Sequence, residues 1–146
     1  MGREPRAEVA TGAVIGLGTD LVELARLEQS LARSGQAFLA HTYSAAELSA
    51  LPPEGPVRIA FLGGRWAAKE ALSKALGTGI GASCSLREIT VLNDAFGAPV
   101  LTLEGNAKST AEAKGVRRIL VSISHEKNYA TATVILIGND TVNLPS

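Results

Sequence analysis

Apolar residues follow a helical spacing in the first half of the chain and an alternating spacing in the second half. A short apolar run over 14–19 predicts a first strand, and leucines then recur every three or four residues as far as Gly35. The segment 57–76 has the longest helical pattern, and Gly77 directly after it is typical of a helix C-terminus. The first half therefore predicts one strand followed mainly by helices, with Gly35 ending the first of them.

Polar residues mark where these helices are expected to begin. Asp20 and Glu23 have the spacing of a capping box, which predicts that the first helix starts after Asp20. Ser44 is a candidate N-cap for a short helix over 45–50, and the proline-rich segment 52–56 predicts a loop.

The second half of the chain has the alternation of half-buried strands. It predicts strands over 86–92, 100–103, 118–124 and 130–137, a hairpin turn over 93–99 and a short helix over 106–114. Helices followed by antiparallel hairpins predict an α+β fold, with helices packed on one face of an antiparallel sheet. We expect one catalytic domain over 13–138, a flexible N-terminal extension over 1–12 and a C-terminal tail over 139–146.

Composition excludes several classes of protein. The 14 basic and 14 acidic side chains give a net charge of zero, whereas a nucleic-acid-binding domain shows a basic excess. No apolar run approaches the ~20 residues that a membrane helix needs. The single Cys84 excludes an internal disulfide or a cysteine-paired zinc site, which favours a reducing compartment and predicts a cytoplasmic location.

The long predicted helix also carries charged side chains that can do chemistry. Helical geometry predicts a core stripe of Phe61, Ala68, Leu72 and Ala75, with Glu70 and Lys74 nearly opposite, beside Gly63 and Ala67. From spacing alone, Glu70 and Lys74 fit either of two interpretations. They can form a solvated ion pair that stabilises the helix by roughly 0.2–0.5 kcal/mol, or they can stand over small residues that leave space for a ligand.

Asp20 is open to a similar pair of interpretations, an N-cap or a metal ligand. If the fold brings Asp20 and Glu70 together, two carboxylates with phosphate oxygens and waters make a usual Mg²⁺ site. Lys74, one turn after Glu70, can then neutralise phosphate charge.

The glycine-rich segments do not match the common nucleotide-binding motifs. Gly16 and Gly18 are followed by Leu21 where a dinucleotide fingerprint needs glycine, and 77–81 lacks the lysine of a P-loop. The segment 77–81 is therefore either a helix stop or a loop that a phosphate can approach closely.

Three segments, in order, resemble one known family: GLGTDLVELAR at 16–26, GRWAAKEALSKALGTG at 64–79 and VSISH at 121–125. They look like the holo-acyl carrier protein synthases, the small bacterial class of 4'-phosphopantetheinyl transferase, over about residues 15–137. The resemblance implies the fold of that family and transfer of the phosphopantetheine arm of coenzyme A to a serine of apo-acyl carrier protein or a carrier domain, in support of fatty acid biosynthesis. It also implies a homotrimer with clefts between subunits.

The resemblance assigns roles to individual residues. Asp20 and Glu70 match the two Mg²⁺ ligands, and Lys74 matches the lysine that contacts the pyrophosphate. The remaining matches to coenzyme A are Ser73, Gly77, Thr78, Gly79, Pro99 and His125. Arg26 matches an arginine that meets the acidic carrier protein, and Arg33 lies on the same helix face. We expect Glu70 or a metal-bound water to accept the serine proton.

Two residues depart from the family pattern, and two other functions stay open. Ala98 stands where relatives often have lysine, so a contact to the nucleotide is in doubt, and Glu126 follows His125 at a position with no fixed residue. A Mg²⁺-dependent hydrolase of the coenzyme A pyrophosphate needs the same carboxylates as the transferase. A non-catalytic trimeric adaptor that binds carrier proteins does not need them.

Overall fold

The computed structural model describes residues 12–139. The predictions for the extension and the tail therefore lie outside the described residues for 1–11 and 140–146. The elements, in chain order, are β1 (Val14–Glu23), α1 (Leu24–Thr42), α2 (Ala45–Ser49), α3 (Pro56–Leu76), a 3₁₀ turn (Leu86–Glu88), β2 (Ile89–Asn93), β3 (Pro99–Leu103), α4 (Gly105–Ala113), β4 (Arg118–His125) and β5 (Tyr129–Ile137).

The strands form two antiparallel sheets, so the α+β prediction is confirmed while the single expected sheet is divided in two. One sheet has the order β1-β5-β4, and the other consists of β2 and β3 alone. Alternate residues of β5 are buried against α3, as the period of two predicts, from Ala130 to Leu136. The helices cover this face, whereas the opposite face carries exposed leucines such as Leu17 and Leu21.

Close packing of α3 on β1 depends on two glycines of the strand. A Cβ atom on Gly18 would overlap the Ala71 carbonyl oxygen, and one on Gly16 would lie 2.5 Å from the Ala75 carbonyl oxygen. These glycines therefore let the backbones of strand and helix approach closely. This contact lays the end of β1 beside the part of α3 that carries Glu70.

The predicted capping box at Asp20 is wrong. Strand β1 continues to Glu23, and Asp20 pairs with Ala132 of β5 in the antiparallel ladder. Helix α1 starts at Leu24 without a side-chain cap. Pairing with β5 outweighs the local capping signal, because four more residues gain a strand partner.

The first predicted helix end is a kink rather than a terminus. Helix α1 continues past Gly35 to Thr42, and Gly35 has φ 30° and ψ −107° within it. Two other predicted helix boundaries are confirmed. Ser44 and Glu47 form a capping box at the start of α2, and Gly77 ends α3 in the left-handed conformation.

The predicted surface pattern of α3 is partly wrong. Ala68 and Leu72 are fully buried as expected, but Ala67 is also fully buried and Gly63 packs against Leu24. Gly63 and Ala67 therefore do not form a floor under a ligand, because sheet and neighbouring helices enclose α3 on most sides. Within residues 12–139, no helix combines the length and the apolar character required to cross a membrane.

Candidate active site

The end of β1 and the last turns of α3 place a carboxylate and an ammonium group in contact. Lys74 Nζ donates to Asp20 Oδ1 at 2.9 Å and to the Thr19 carbonyl oxygen at 3.0 Å. The Lys74 side chain is 53% exposed, so its ammonium group is accessible to a ligand. Of the two interpretations of Glu70 and Lys74, the solvated i,i+4 ion pair is not formed, because Lys74 contacts Asp20 instead.

Glu70 lies beside this pair, where its ionised form is disfavoured. Burial, and then the nearby charge of Asp20, raises the pKa of the Glu70 carboxyl, while Lys74 acts in the opposite direction. Two carboxylates that repel each other across a pocket favour a cation between them. The fold thus places Glu70 in one charged group with Asp20 and Lys74.

A pocket of about 440 Å³ opens over Asp20 and Glu70, with Lys74 outside its lining, and we call it the carboxylate pocket. Its lining includes Asp20, Glu70 and Arg26. The rest of the lining is largely apolar and aromatic, with Leu27, Phe38, Trp66 and Tyr129 among its members. The pocket therefore combines charged side chains with apolar and aromatic walls. Arg33 is exposed on α1, about two turns after Arg26, and lies outside this lining.

The donor set of the carboxylate pocket fits a magnesium ion. Asp20 and Glu70 supply hard oxygen atoms, which Mg²⁺ prefers. No cluster of three or more metal-ligating side chains occurs among residues 12–139. Two protein carboxylates suit Mg²⁺ in enzymes that act on phosphates, because substrate oxygens and waters complete its coordination.

Hydrogen bonds hold Ser73 and the glycine loop after α3 against the end of the helix. Ser73 is fully buried, and its hydroxyl donates to the Glu70 carbonyl oxygen at 2.7 Å. The Ser73 carbonyl oxygen accepts from the N–H groups of Thr78 and Gly79. These bonds tie the loop back onto the helix that carries Glu70 and Lys74, and the positive φ of Gly77 and Gly79 permits the turn.

A second pocket, of about 840 Å³, contains the other predicted nucleotide contacts, and we call it the hairpin pocket. Pro99 and His125 both line it. Within the described chain, none of its lining residues is shared with the carboxylate pocket. Of the predicted site residues, Asp20, Arg26 and Glu70 line the carboxylate pocket and Pro99 and His125 the hairpin pocket. The others line neither pocket: Arg33, Ser73, Lys74, Gly77, Thr78 and Gly79.

Arg65 is a functional candidate that the sequence analysis does not single out. It lines the hairpin pocket although only 6% of the residue is exposed. Its Nε donates to the Val91 carbonyl oxygen at 2.9 Å, and its guanidinium lies 3.5 Å from the centre of the Phe61 ring. Burial lowers the Arg65 pKa, with Glu47 and Tyr43 opposing the shift. A desolvated guanidinium at a pocket wall suits a phosphate.

The two departures from the family pattern lie near the hairpin pocket. The Ala98 N–H donates to Asp94 Oδ1 in the β2–β3 turn, so Ala98 serves to hold the turn. Glu126 lines the hairpin pocket and accepts from the Asn128 N–H. Cys84 is fully buried, and burial raises the pKa of its thiol to about 11, so it does not supply a thiolate nucleophile.

Comparison with known proteins gives one consistent result. Residues 16–134 match the family model of the 4'-phosphopantetheinyl transferase superfamily. A holo-acyl-carrier-protein synthase from Vibrio campbellii is 46% identical over 126 residues, which covers 84% of this chain and 97% of that protein.

Solved structures agree with this result. The holo-acyl-carrier-protein synthase from Neisseria meningitidis aligns with a TM-score of 0.79 and 35% identity, over 85% of this chain and 98% of that one. The Helicobacter pylori enzyme, in complex with coenzyme A, aligns with a TM-score of 0.73 and 31% identity, over 82% and 98%.

Proposed function

The chain belongs to the 4'-phosphopantetheinyl transferase superfamily, and we propose that it is a holo-acyl-carrier-protein synthase. It moves the 4'-phosphopantetheine arm of coenzyme A to a serine of apo-acyl carrier protein, releases adenosine 3',5'-bisphosphate and so supports fatty acid biosynthesis. The observation that carries the proposal is one charged group of Asp20, Glu70 and Lys74, of which Asp20 and Glu70 line the carboxylate pocket and Lys74 contacts Asp20. Lys74 contacts Asp20, which lies 54 residues earlier in the sequence.

The reaction exchanges one phosphorus–oxygen bond for another. The serine oxygen bonds to the phosphorus that carries the pantetheine arm, and the bond from this phosphorus to the bridging pyrophosphate oxygen breaks. The leaving bisphosphate keeps the electron pair. Asp20 and Glu70 hold Mg²⁺, which when bound offsets the negative charge of the pyrophosphate. Lys74 adds a second positive charge, which its exposed ammonium can bring to a phosphate oxygen.

The serine proton also needs an acceptor. Glu70 is our candidate among the side chains of the carboxylate pocket, because burial, and then the charge of Asp20, raise its pKa above that of an ordinary glutamic acid. A carboxylate with a raised pKa is a better general base than an ordinary one.

Coenzyme A is large enough to use both pockets. Its pyrophosphate belongs beside Lys74, while its nucleotide end suits the hairpin pocket, where Arg65 and His125 supply nitrogen donors. Gly77, Thr78 and Gly79 supply a loop that a phosphate can approach. Arg26 at the rim of the carboxylate pocket, and Arg33 beyond it, suit an acidic carrier protein.

The exposed face of the three-stranded sheet supports a homotrimer. Leu17 is 61% exposed and Leu21 65% exposed, and both lie on the face that no helix covers. Exposed leucines on a sheet face that no helix covers favour contact with another chain. Contact between copies would also bring the hairpin pocket of one subunit toward the carboxylate pocket of the next. Light scattering should then give three times the chain mass of 15.1 kDa. We also propose that the trimer works in the cytoplasm.

A single incubation series tests the function. The protein is mixed with coenzyme A and Mg²⁺, with apo-acyl carrier protein, with a serine-to-alanine carrier, or with no carrier. We expect the intact carrier alone to gain the mass of the phosphopantetheine arm, together with bisphosphate release. Bisphosphate release without a carrier would instead show a hydrolase, and carrier binding without any release would show an adaptor.

A further inference from the structure

The ammonium group of Lys74 is bonded to one of the two carboxylates of the candidate metal site. Its Nζ donates to Asp20 Oδ1 at 2.9 Å. A second bond, to the Thr19 carbonyl oxygen at 3.0 Å, holds the same ammonium at the end of β1. Lys74 is therefore more than a positive charge in the neighbourhood, because it uses an oxygen atom of a proposed Mg²⁺ ligand.

Two cations on one carboxylate oppose each other. Mg²⁺ binds oxygen at about 2.0–2.1 Å, so a metal ion that shares Oδ1 with Lys74 lies at most about 5 Å from its Nζ. If the metal takes Oδ2, both cations still draw on the charge of the same group. The Asp20 side chain is only 15% exposed, and repulsion between like charges is stronger there than in bulk water. Lys74 and Mg²⁺ therefore compete for Asp20.

The Lys74 side chain is placed to give up this contact. It is 53% exposed, and it lies in the last turn of α3 outside the lining of the carboxylate pocket, which Asp20 and Glu70 share. Lys69 of the same helix is the opposite case. It is fully buried, and its ammonium is bonded to Glu47 and to two backbone carbonyl oxygens. Lys74 can therefore exchange one anionic partner for another, whereas Lys69 is locked in place.

On the premise of the proposed function, we propose that Lys74 is an exchangeable counter-ion of the Mg²⁺ site, which neutralises Asp20 until Mg²⁺ binds and then turns to the pyrophosphate of coenzyme A. Its charge also acts on Glu70 against that of Asp20, so it relieves the repulsion between the two carboxylates. A phosphate that takes over Lys74 leaves Asp20 to the metal, and this exchange couples the two ligands. Lys74 thus weakens binding of the metal alone and favours joint binding of metal and coenzyme A.

Direct metal binding separates this role from a contact to phosphate alone. Mn²⁺, which suits the same oxygen ligands as Mg²⁺, is titrated without coenzyme A, and free Mn²⁺ is measured by electron paramagnetic resonance. Lys74→Met removes the ammonium, and Lys74→Arg keeps a cation that pairs well with a carboxylate. The matched control is Lys108→Met, at an exposed lysine of α4 that lines neither pocket. A pH well above the carboxyl range prevents competition from protons.

We expect Lys74→Met to bind Mn²⁺ about tenfold more tightly than the wild type, because the competing cation is gone. Lys74→Arg should bind Mn²⁺ no more tightly than the wild type, and Lys108→Met should match the wild type. In an Asp20→Asn background the gain from Lys74→Met should largely disappear, since no carboxylate then holds the ammonium. An Mn²⁺ affinity of Lys74→Met that is unchanged or weaker would overturn the proposal.

The exchange itself is tested by the coupling between the two ligands. The Kd for coenzyme A is measured by calorimetry with and without Mg²⁺, in the wild type and in Lys74→Met. Mg²⁺ should lower this Kd by a larger factor in the wild type, because only there does the metal release a cation for the pyrophosphate. Equal factors in the two proteins would overturn the exchange and leave Lys74 as a fixed partner of Asp20.

Failure of the proposed function gives a different result from failure of this inference. If the wild type binds Mn²⁺ and coenzyme A but transfers nothing to the carrier, the transferase assignment is wrong, and the Mn²⁺ affinity of Lys74→Met still decides the role of Lys74. If the wild type transfers the arm and Lys74→Met binds Mn²⁺ as the wild type does, only the counter-ion role is wrong. Equal Mn²⁺ binding by the wild type and Asp20→Asn would overturn both the metal-ligand role of Asp20 and this inference.

Discussion

Lys74 Nζ contacts Asp20 Oδ1 at 2.9 Å, although Asp20 lies in a strand and Lys74 in the last turn of a long helix. The contact exists because β1 continues past the point where local signals predict a helix, and because glycines let α3 lie close to the strand. Asp20 thereby becomes part of the same charged cluster as Glu70. The candidate chemistry of the protein depends on this arrangement.

Glu70→Gln should abolish transfer without loss of stability. Burial and the charge of Asp20 raise the Glu70 pKa, so the ionised carboxylate is less favourable in the folded protein than in the unfolded chain. Removing that charge should leave Tm unchanged or raise it, while the metal site loses a ligand. Mass spectrometry of the carrier and thermal unfolding without Mg²⁺ measure the two effects. Near-wild-type transfer at saturating Mg²⁺ would rule out the ligand role.

The pH dependence of transfer should respond to magnesium. A raised pKa means that Glu70 takes up a proton at a higher pH than an ordinary glutamic acid does. At low Mg²⁺, kcat/KM should therefore decline as the pH is lowered, and the decline should begin at a pH above the usual carboxyl range. Raising the Mg²⁺ concentration favours the ionised form and should move this limb to lower pH. An acid limb that does not move with Mg²⁺ would contradict metal binding at Glu70.

Arg65→Lys should weaken recognition of coenzyme A. Lysine keeps the positive charge but loses the planar fork of donors that suits a phosphate. We expect the KM for coenzyme A to rise by about tenfold and the KM for the carrier to stay close to wild type. Arg87→Lys, at an exposed arginine that lines neither pocket, is the matched control. Equal KM values for coenzyme A in the two variants would contradict a contact between Arg65 and the nucleotide.

The sequence predicts helix boundaries well where a residue and its neighbours in sequence determine the local conformation. Ser44 caps α2 and Gly77 ends α3, since each acts through its own backbone or an adjacent turn. Asp20 fails as a helix cap, because its conformation depends on pairing with β5, more than 100 residues away.

The residue types of Arg65 and Lys69 indicate solvent, but their positions along α3 indicate the core. At 100° per residue Arg65 lies about 20° and Lys69 about 60° from Leu72 of the predicted core stripe. Both are almost fully buried. Their environment is set by α2 and β2, whose positions relative to α3 follow from tertiary packing. Asp20, Glu70 and Lys74 were found through the resemblance to a family, whereas spacing alone left Glu70 and Lys74 open to a surface ion pair.

Arg26→Glu should impair docking of the carrier protein selectively. Arg26 lines the rim of the carboxylate pocket on the exposed side of α1. Reversal of its charge should repel an acidic partner, raise the KM for the carrier and steepen its response to salt. The KM for coenzyme A should change little, and Arg87→Glu should change neither. Parallel increases in both KM values would place Arg26 in the coenzyme A site instead.

Gly18→Ala should damage stability and activity together, in contrast to Gly81→Ala. A Cβ atom at Gly18 would overlap the Ala71 carbonyl oxygen and lie 2.8 Å from the Ala75 nitrogen, so β1 and α3 must separate. Overpacking of this kind costs about 1–3 kcal/mol. Separation also moves Asp20 away from Glu70 and Lys74, so the Mg²⁺ concentration for half-maximal transfer should rise.

Gly81 is the matched control for this change, because a Cβ atom there would meet nothing within 4 Å and the residue has no positive φ. Urea unfolding and Mg²⁺ titration of both variants compare the two positions. If Gly18→Ala keeps wild-type stability and Mg²⁺ response, close approach of α3 to β1 does not hold the carboxylates together. If only stability falls, the glycine serves the fold and the site tolerates the movement.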